Sequence, residues 1–251
     1  MKTAISHSSS IPGASDTRPS VAVVIPVYNH EQRIEGVIRE ALKLGMPVIV
    51  VDDGSTDKTP EILSRLKGIT VLRHPENQGK GAALLTGFAA AVERGCDRAL
   101  TIDGDGQHRP EDAGALMQAT ADGSRVIVVG KRKGMVGKNV PWTSRFGRGF
   151  SNFWVWASGG PLISDSQSGF RLYPLPEALN LDVEARRYQF EVEILVKAKR
   201  RGIETREAPI EVVYQPKGVR VSHFQPWQDF CRNSSTFNRL IWERIFGASR
   251  K

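Results

Sequence analysis

From Val21 onward, short apolar runs alternate with longer segments of helical periodicity. Uninterrupted apolar runs of four to eight residues are typical of strands buried on both faces of a parallel sheet. The segments between them are long enough for the crossover helices that join parallel strands. The pattern therefore predicts an α/β fold with a mostly parallel central sheet. The predicted strands are 21–27, 47–51, 69–73, 98–102 and 125–130, and the predicted helices are 31–44, 59–66, 79–94 and 110–121.

The 251 residues suffice for one large α/β domain. Residues 1–20 are rich in Ser, Pro and Gly and lack the apolar region of a signal peptide, so we expect a flexible tail. The longest apolar windows fall short of the roughly 18 residues that span a bilayer. Cys96 and Cys231 fit no metal or redox spacing, which favours reduced thiols in a cytoplasmic protein.

Polar residues follow three of the predicted strands directly. Tyr28-Asn29 follow the first, Asp52-Asp53-Gly54-Ser55 the second, and Asp103-Gly104-Asp105-Gly106-Gln107-His108 the fourth. Ligands of open parallel sheets bind beyond the carboxyl ends of the strands, where these loops meet. The sequence therefore predicts a site with several carboxylates at one edge of the sheet.

Each of these motifs has a functional and a structural interpretation. Asp103 and Asp105 can hold a hard divalent cation, or they can belong to a solvated Asp-Gly turn. Asp53 can accept hydrogen bonds from a nucleobase or a ribose, or its segment can cap a helix. Lys80, within residues 77–81, can face a phosphate or sugar, or lie in an ordinary glycine-rich helix entry.

The order of the motifs resembles that of family 2 glycosyltransferases. Segments 25–29 (IPVYN), 51–57 (VDDGSTD), 77–81 (NQGKG) and 103–108 (DGDGQH) have the family's spacing, and 165–171 (DSQSGFR) and 190–195 (FEVEIL) continue it. The likeness covers about residues 21–224 and is greatest to the dolichyl-phosphate mannosyltransferase, or polyprenyl-phosphate glycosyltransferase, branch. It implies a GT-A catalytic domain over 21–218, a Rossmann-like sandwich, followed by a basic amphipathic segment over 219–251.

The resemblance also implies a reaction. A sugar would pass, with inversion, from GDP-mannose or a UDP-sugar to a polyprenyl phosphate. A divalent Mn²⁺ or Mg²⁺ would neutralise charge on the departing diphosphate. The residues implied in donor-nucleotide binding are Pro26, Tyr28, Asn29, Glu31, Asp53 and Lys80, and those implied in metal binding are Asp103, Asp105 and Gln107, with Asp105 also assigned to catalysis.

The net charge of +8 is concentrated in one stretch, because no acidic residue lies between Asp122 and Asp165 while seven basic ones do. Trp142, Phe146, Phe150, Phe153 and Trp154 recur there at a spacing that predicts their rings along one face of a helix. A basic aromatic helix suits a membrane interface that presents lipid phosphate, although it can also pack on the core with a solvated basic edge. The candidate acceptor or phosphate ligands are Lys131, Arg132, Arg145, Arg148, Arg171, Arg220 and His223.

The acceptor decides whether a general base is needed. A lipid phosphate needs none, whereas a hydroxyl acceptor would need a carboxylate, for which Asp165 is the candidate, with capping as its structural alternative. His223 stands where the branch usually has lysine, and a neutral histidine binds phosphate more weakly. Acidic loops would repel nucleic acid. We therefore expect a donor nucleotide sugar, a lipid phosphate and the inner, anionic membrane face, or a partner membrane protein, as partners.

Overall fold

The computed structural model describes residues 20–133, 142–211 and 226–246, with side chains for all of these except 142–147 and 226–233. The strands are β1 (Val21–Val27), β2 (Val48–Asp52), β3 (Ile69–Arg73), β4 (Arg98–Thr101), β5 (Ile127–Arg132), β6 (Arg171–Pro174) and β7 (Thr205–Ile210). The helices are α1 (Ile34–Leu42), α2 (Thr59–Arg65), α3 (Lys80–Glu93), α4 (Ala113–Gln118), α5 (Trp142–Ala157), α6 (Phe190–Arg200) and α7 (Pro226–Phe246).

Within the described residues, the seven strands form one sheet in the order β3-β2-β1-β4-β6-β5-β7. Strand β1 runs parallel to β2 and β4, and β2 runs parallel to β3. All residues of β1 and β2 are buried, as expected of strands covered by helices on both faces. The predicted α/β class and mostly parallel sheet are confirmed.

Strands β6 and β7 were not predicted from the sequence. Strand β6 lies antiparallel between β4 and β5, and its four residues open on Arg171 and end on a proline. Strand β7 pairs in parallel with β5 at the edge of the sheet. Its sequence contains charged residues and Pro209, which an edge strand tolerates. Both strands therefore lack the apolar pattern that marks buried parallel strands.

Helices cover both faces of the sheet. Helices α3 and α6 pack on one face through Phe88 and Phe190, whereas α1, α2 and α4 cover the other. Helix α3 approaches β1 so closely that a Cβ atom at Gly87 would overlap Val24. This close approach fixes the start of α3 relative to the carboxyl end of β1, where the polar loops lie.

Helices α5 and α7 pack beside α6 rather than on the sheet. Val155, Val196 and Leu240 form a small core there, and Trp154 stacks on Phe237 with ring centroids 6.1 Å apart. Phe153, by contrast, is 54% exposed, because successive residues of a helix point about 100° apart. The aromatic residues of α5 therefore do not share one face. The side chains of Trp142 and Phe146 lie outside those described.

No helix in the described ranges is both long enough and apolar enough to cross a bilayer. The predicted tail over 1–20 lies almost wholly outside the described residues. The boundary between 218 and 219 also lies outside them, whereas α7 falls within the predicted C-terminal segment.

Candidate active site

The three predicted loops meet at the carboxyl ends of β1, β2 and β4. The loop after β4 packs against the end of β1, where a Cβ atom at Gly104 would lie 3.4 Å from the Pro26 carbonyl oxygen. Asp53 follows β2 on the same edge, and its backbone N–H donates to the Val27 carbonyl at 2.8 Å. The parallel register thus brings the three polar segments together, as the sequence predicted.

The loop after β1 is fastened to the loop after β2. Asn29 adopts a positive φ of 52° and its Oδ1 accepts hydrogen bonds from the Thr56 N–H at 2.8 Å and the Asp57 N–H at 3.3 Å. Glu31 Oε2 accepts from the Lys58 N–H at 2.9 Å, and the Glu31 N–H donates to Asp57 Oδ2 at 3.0 Å. These contacts delay the start of α1 to Ile34, three residues later than predicted.

The two fastened loops border a small pocket. Burial raises the pKa of Asp57, but hydrogen bonds from Thr59 and Glu31 outweigh this effect and hold its pKa below the usual value. Pro26 is buried in β1, and Tyr28 is half-buried at the strand's end. The pocket has a volume of about 140 Å³ and is lined by Asn29, His30, Glu31, Gln32, Arg33 and Asp57.

Asp53 is buried and binds the entry of α3. Its Oδ1 accepts from the Gln78 N–H at 3.0 Å and contacts His74 Nδ1 at 2.7 Å, and its Oδ2 accepts from the Gly79 N–H at 2.8 Å. His74 Nε2 lies 3.0 Å from Thr86 Oγ1 on α3. A carboxylate has about four acceptor positions. Asp53 therefore uses two of them to order the loop of residues 77–79 and a third to contact His74, a partner that sequence reasoning missed.

Lys80 lies at the start of α3 between two carboxylates. Its Nζ is 2.6 Å from Asp103 Oδ1 and 2.5 Å from Glu191 Oε1 at the start of α6. Burial opposes the charged ammonium, but the ion pairs with Asp103 and Glu191 prevail and raise the pKa of Lys80 above its usual value. Lys80 is therefore charged at neutral pH.

The loop after β4 holds its two aspartates differently. Burial opposes the charge of Asp103, but Lys80 and His108 outweigh it and hold the pKa of that carboxyl well below its usual range. His108 stacks on Phe170 and its Nε2 lies 3.8 Å from Asp103 Oδ2. Asp105 is half-buried; its Oδ1 accepts from the Gln107 N–H at 3.0 Å and its Oδ2 from the Gln107 side-chain amide at 2.6 Å. The loop itself thus orients Asp105, whereas Asp103 is held by Lys80 from α3 and lies beside His108 of the loop.

The donor set fits a divalent ion that arrives with a diphosphate. The described side chains contain no group of three His, Cys, Asp or Glu placed to hold a metal by themselves. Mg²⁺ at nucleotide sites usually takes one or two carboxylates, with substrate phosphates supplying further oxygens. Asp103 and Asp105, two residues apart on one loop, match that smaller set.

Asp165 and Arg171 lie inside the protein. Asp165 is buried and forms a two-pronged ion pair with Arg132, from Nε to Oδ2 at 2.6 Å and from Nη2 to Oδ1 at 2.7 Å. Arg171 is also buried, and its guanidinium donates to the carbonyl oxygens of Ser168, Ser166 and Glu191. These contacts make Arg171 part of the framework that holds residues 166–168 against α6.

The remaining basic candidates are only partly described. Lys131 is exposed at the end of β5, and Arg148 is half-buried on α5. The side chain of Arg145, and residues Arg220 and His223 altogether, lie outside the described part of the chain.

Residues 22–175 match the family model described as Glycosyl transferase family 2. The chain belongs to glycosyl transferase family 2. This family 2 glycosyltransferase is 32% identical over 215 residues to a UDP-N-acetylglucosamine–dolichyl-phosphate N-acetylglucosaminyltransferase of Methanococcus voltae, covering 77% of this chain and 86% of that protein. It is also 32% identical over 218 residues to an undecaprenyl-phosphate mannosyltransferase of Micrococcus luteus, covering 79% of this chain and 85% of that protein. The predicted family and branch are confirmed.

The fold agrees with solved glycosyltransferase structures. The crystal structure of mannosyl-3-phosphoglycerate synthase from Rubrobacter xylanophilus superimposes with a TM-score of 0.65 over 93% of this chain and 76% of that one. The sequence identity is 20%, so this likeness concerns the fold alone. The predicted GT-A fold is confirmed.

Proposed function

We propose that this glycosyltransferase moves a sugar from a nucleotide-diphosphate sugar to a polyprenyl phosphate at the membrane surface. The observation that carries the proposal is the meeting of Asp53, Asp103 and Asp105 at one edge of the sheet. The names of the relatives in Methanococcus voltae and Micrococcus luteus, with their dolichyl and undecaprenyl phosphates, support this choice of acceptor.

The donor would lie across the loops after β1, β2 and β4. We assign the nucleoside to Pro26, Tyr28, Asn29, Glu31 and Asp53, which line or order this edge. Asp103, Asp105 and Gln107 would hold Mn²⁺ or Mg²⁺ at the diphosphate. Such an ion, when bound, supplies Lewis-acid stabilisation of the leaving nucleoside diphosphate.

The ion pair of Asp165 favours a phosphate acceptor over a hydroxyl acceptor. A general base must reach the proton that it removes, but the Asp165 carboxylate is buried and both of its oxygens bind Arg132. A lipid phosphate is already anionic at neutral pH and needs no base. Its oxygen would bond to the anomeric carbon while the bond from that carbon to the donor diphosphate breaks. Among the described side chains, the cations proposed to attract the lipid phosphate are Lys131, Arg132 and Arg148. Arg145, Arg220 and His223, whose side chains lie outside those described, are proposed to act with them.

Exposed apolar side chains on α5 and α7 support action at a membrane. Trp156 on α5 is 53% exposed and Trp242 on α7 is 63% exposed. The two helices meet where Arg244 donates to the Ala157 carbonyl at 2.6 Å. Aromatic rings with neighbouring arginines suit the headgroup region of an anionic membrane. Among the described side chains of this region, the others that are apolar and exposed are Phe153, Leu162, Ile245 and Phe246.

A panel of radiolabelled nucleotide sugars tests the proposal. Each donor is incubated with undecaprenyl or dolichyl phosphate, or with a hydroxyl glycolipid, and the product is extracted into organic solvent. We expect a labelled lipid only with a polyprenyl phosphate. Asp165→Asn should lower stability more than it lowers the turnover of the protein that remains folded. A product formed only on the hydroxyl acceptor, together with loss of turnover in Asp165→Asn, would contradict the acceptor and make Asp165 the base.

A further inference from the structure

The ammonium group of Lys80 joins three elements of the site. It contacts Asp103 after β4 and Glu191 on α6 from its own position at the start of α3, and all three side chains are largely enclosed. Two carboxylates thus share one positive charge. Neither Glu191 nor this sharing belongs to the donor and metal contacts assigned above.

The contact places a positive charge on one of the proposed metal ligands. Asp103 Oδ1 is taken by Lys80, and the carboxylate as a whole packs on Gly169, where a Cβ atom would overlap both of its oxygens. A divalent cation that approaches Asp103 meets the Lys80 ammonium at close range, and like charges in a partly enclosed site repel strongly. Asp103 can therefore bind a metal ion only when another group offsets this repulsion.

A donor diphosphate would offset the repulsion between the metal ion and Lys80, because its negative charge attracts both of these cations. Glu191 supplies a second anchor for Lys80, since its Oε1 lies 2.5 Å from the ammonium. Lys80 can therefore keep a full ion pair when Asp103 turns toward a metal. Glu191 itself is held in the first turn of α6, and its carbonyl accepts a hydrogen bond from Arg171 at 2.8 Å.

We propose that Lys80 keeps the metal site weak until the donor diphosphate arrives, and that Glu191 retains Lys80 when Asp103 is released. The inference rests on the metal-dependent transfer proposed above. With this role of Lys80, the donor strengthens metal binding and the metal strengthens donor binding. The protein without donor then binds little metal. By linkage, the factor by which a nucleoside diphosphate strengthens metal binding equals the factor by which the metal strengthens nucleotide binding.

Mn²⁺ binding without nucleotide, followed by the electron paramagnetic resonance signal of free Mn²⁺, tests the proposal. Lys80→Met removes the competing charge, so we expect Mn²⁺ to bind about tenfold more tightly than to the wild type. Glu191→Gln leaves Lys80 to Asp103 alone, so Mn²⁺ should bind more weakly. Lys80→Arg keeps the charge and should stay near the wild type. Lys43→Met, which removes an exposed ion pair with Glu40 on α1, is the matched control.

The opposite directions separate this role from a structural one. A framework role predicts that Lys80→Met and Glu191→Gln both loosen the site and both weaken Mn²⁺ binding. That result, or equal affinities in wild type and Lys80→Met, would overturn the proposal. Adding a nucleoside diphosphate should strengthen Mn²⁺ binding markedly in the wild type and much less in Lys80→Met. Thermal unfolding of each variant confirms that the compared proteins are folded.

The same titration distinguishes this inference from the proposed function. If wild type and Lys80→Met bind Mn²⁺ equally while Asp105→Asn binds none, the metal site stands and the role of Lys80 is refuted. If no folded variant binds Mn²⁺, with or without nucleotide, the metal assignment fails and the inference fails with it.

Discussion

His74 is a buried residue that connects the proposed donor site to the core. Its two ring nitrogens contact Asp53 Oδ1 at 2.7 Å and Thr86 Oγ1 at 3.0 Å. Asp53 in turn orders the amides of Gln78 and Gly79 at the entry of α3. His74 therefore acts as a positioning residue, because it fixes the carboxylate that fixes the loop.

We expect His74→Ala to lower the free energy of unfolding by about 1–3 kcal/mol, since it leaves a buried carboxylate without one of its partners. The KM for the nucleotide sugar should rise, while kcat changes less, because His74 positions Asp53, which is proposed to bind the nucleoside of the donor. Thr86→Val, which removes only the outer contact of His74, is the control and should cost about 1 kcal/mol. Denaturant titration and donor-dependent rates measure both. Equal effects of the two variants with an unchanged KM would contradict this role.

The sequence located the acids of the site better than it located their partners. Asp53, Asp103 and Asp105 follow strands directly, so their place at the sheet edge could be predicted from local pattern. Glu191 lies 111 residues from Lys80, and Asp165 lies 33 residues from Arg132. Such contacts depend on how distant elements pack, which periodicity and spacing do not encode. For this reason the sequence did not predict that Lys80 contacts two carboxylates, and its assignment to the donor stays a prediction.

At the scale of elements, helix α7 is anchored to α6 by a buried carboxylate. Glu193 Oε2 lies 2.7 Å from Arg239 Nη2 on α7, and Glu193 Oε1 lies 3.0 Å from Lys197 Nζ. Its oxygens also accept from the N–H groups of Glu184 and Ala185. The segment that follows these amides packs on the entry of α3, where the Ala82 N–H donates to the Arg186 carbonyl. Through Glu193 and residues 184–186, these contacts connect α7 to the entry of α3, where Asp53 orders the loop of residues 77–79.

The docking of α7 should depend on pH through Glu193. Burial raises the pKa of Glu193, but hydrogen bonds from Arg239, the Glu184 amide and Lys197 outweigh this effect, so its pKa lies below the usual 4.5. A carboxyl with a depressed folded pKa stabilises fully above its unfolded pKa, and this contribution is lost as pH falls through the folded value. We therefore expect the protection of amides over residues 234–246, measured as the exchange rate relative to the intrinsic rate at the same pH, to fall as the pH is lowered below about 4.5.

The variant Glu193→Gln should produce the same loosening at neutral pH and lower the free energy of unfolding by about 3 kcal/mol, because Arg239 loses its buried partner. Glu35→Gln, which breaks an exposed pair with Arg39 on α1, is the control and should change neither quantity by more than about 0.5 kcal/mol. Unchanged exchange of α7 in Glu193→Gln would show that the apolar contacts of Phe237 and Leu240 hold the helix alone.

Helices and strands were predictable where the sequence of the segment itself has a clear hydrophobic pattern. All five predicted strands and all four predicted helices exist, because continuous apolar runs and helical spacing reflect burial between two layers. The helix predicted over 110–121 opens instead as a 3₁₀ turn at Pro110–Asp112 before α4. Strands β6 and β7 have short, mixed sequences whose pairing is set by their neighbours in the sheet.

Across the whole molecule, the exposed apolar side chains that the structure describes are concentrated on α5, α7 and the segment after α5. We expect the protein to sediment with vesicles that contain anionic lipid, and to do so less as salt is raised. Trp156→Ser and Trp242→Ser should each weaken this binding by about tenfold, since each removes a large apolar surface from the interface. Val71→Ser, at an exposed position on β3, is the control and should bind as the wild type does. Binding that neither tryptophan variant changes would place the membrane contact elsewhere.

Metal-dependent transfer to a lipid phosphate can be tested through Asp105. The measurement is formation of organic-extractable labelled product from the active donor and a polyprenyl phosphate, with Mn²⁺ or Mg²⁺ and with a chelator, in wild type, Asp105→Ala and Asp122→Ala. Asp122 is an exposed aspartate paired with Arg206 and serves as the control. We predict product that requires the metal in wild type and Asp122→Ala, and none in folded Asp105→Ala. Undiminished product in folded Asp105→Ala, or in the presence of the chelator, would contradict the account.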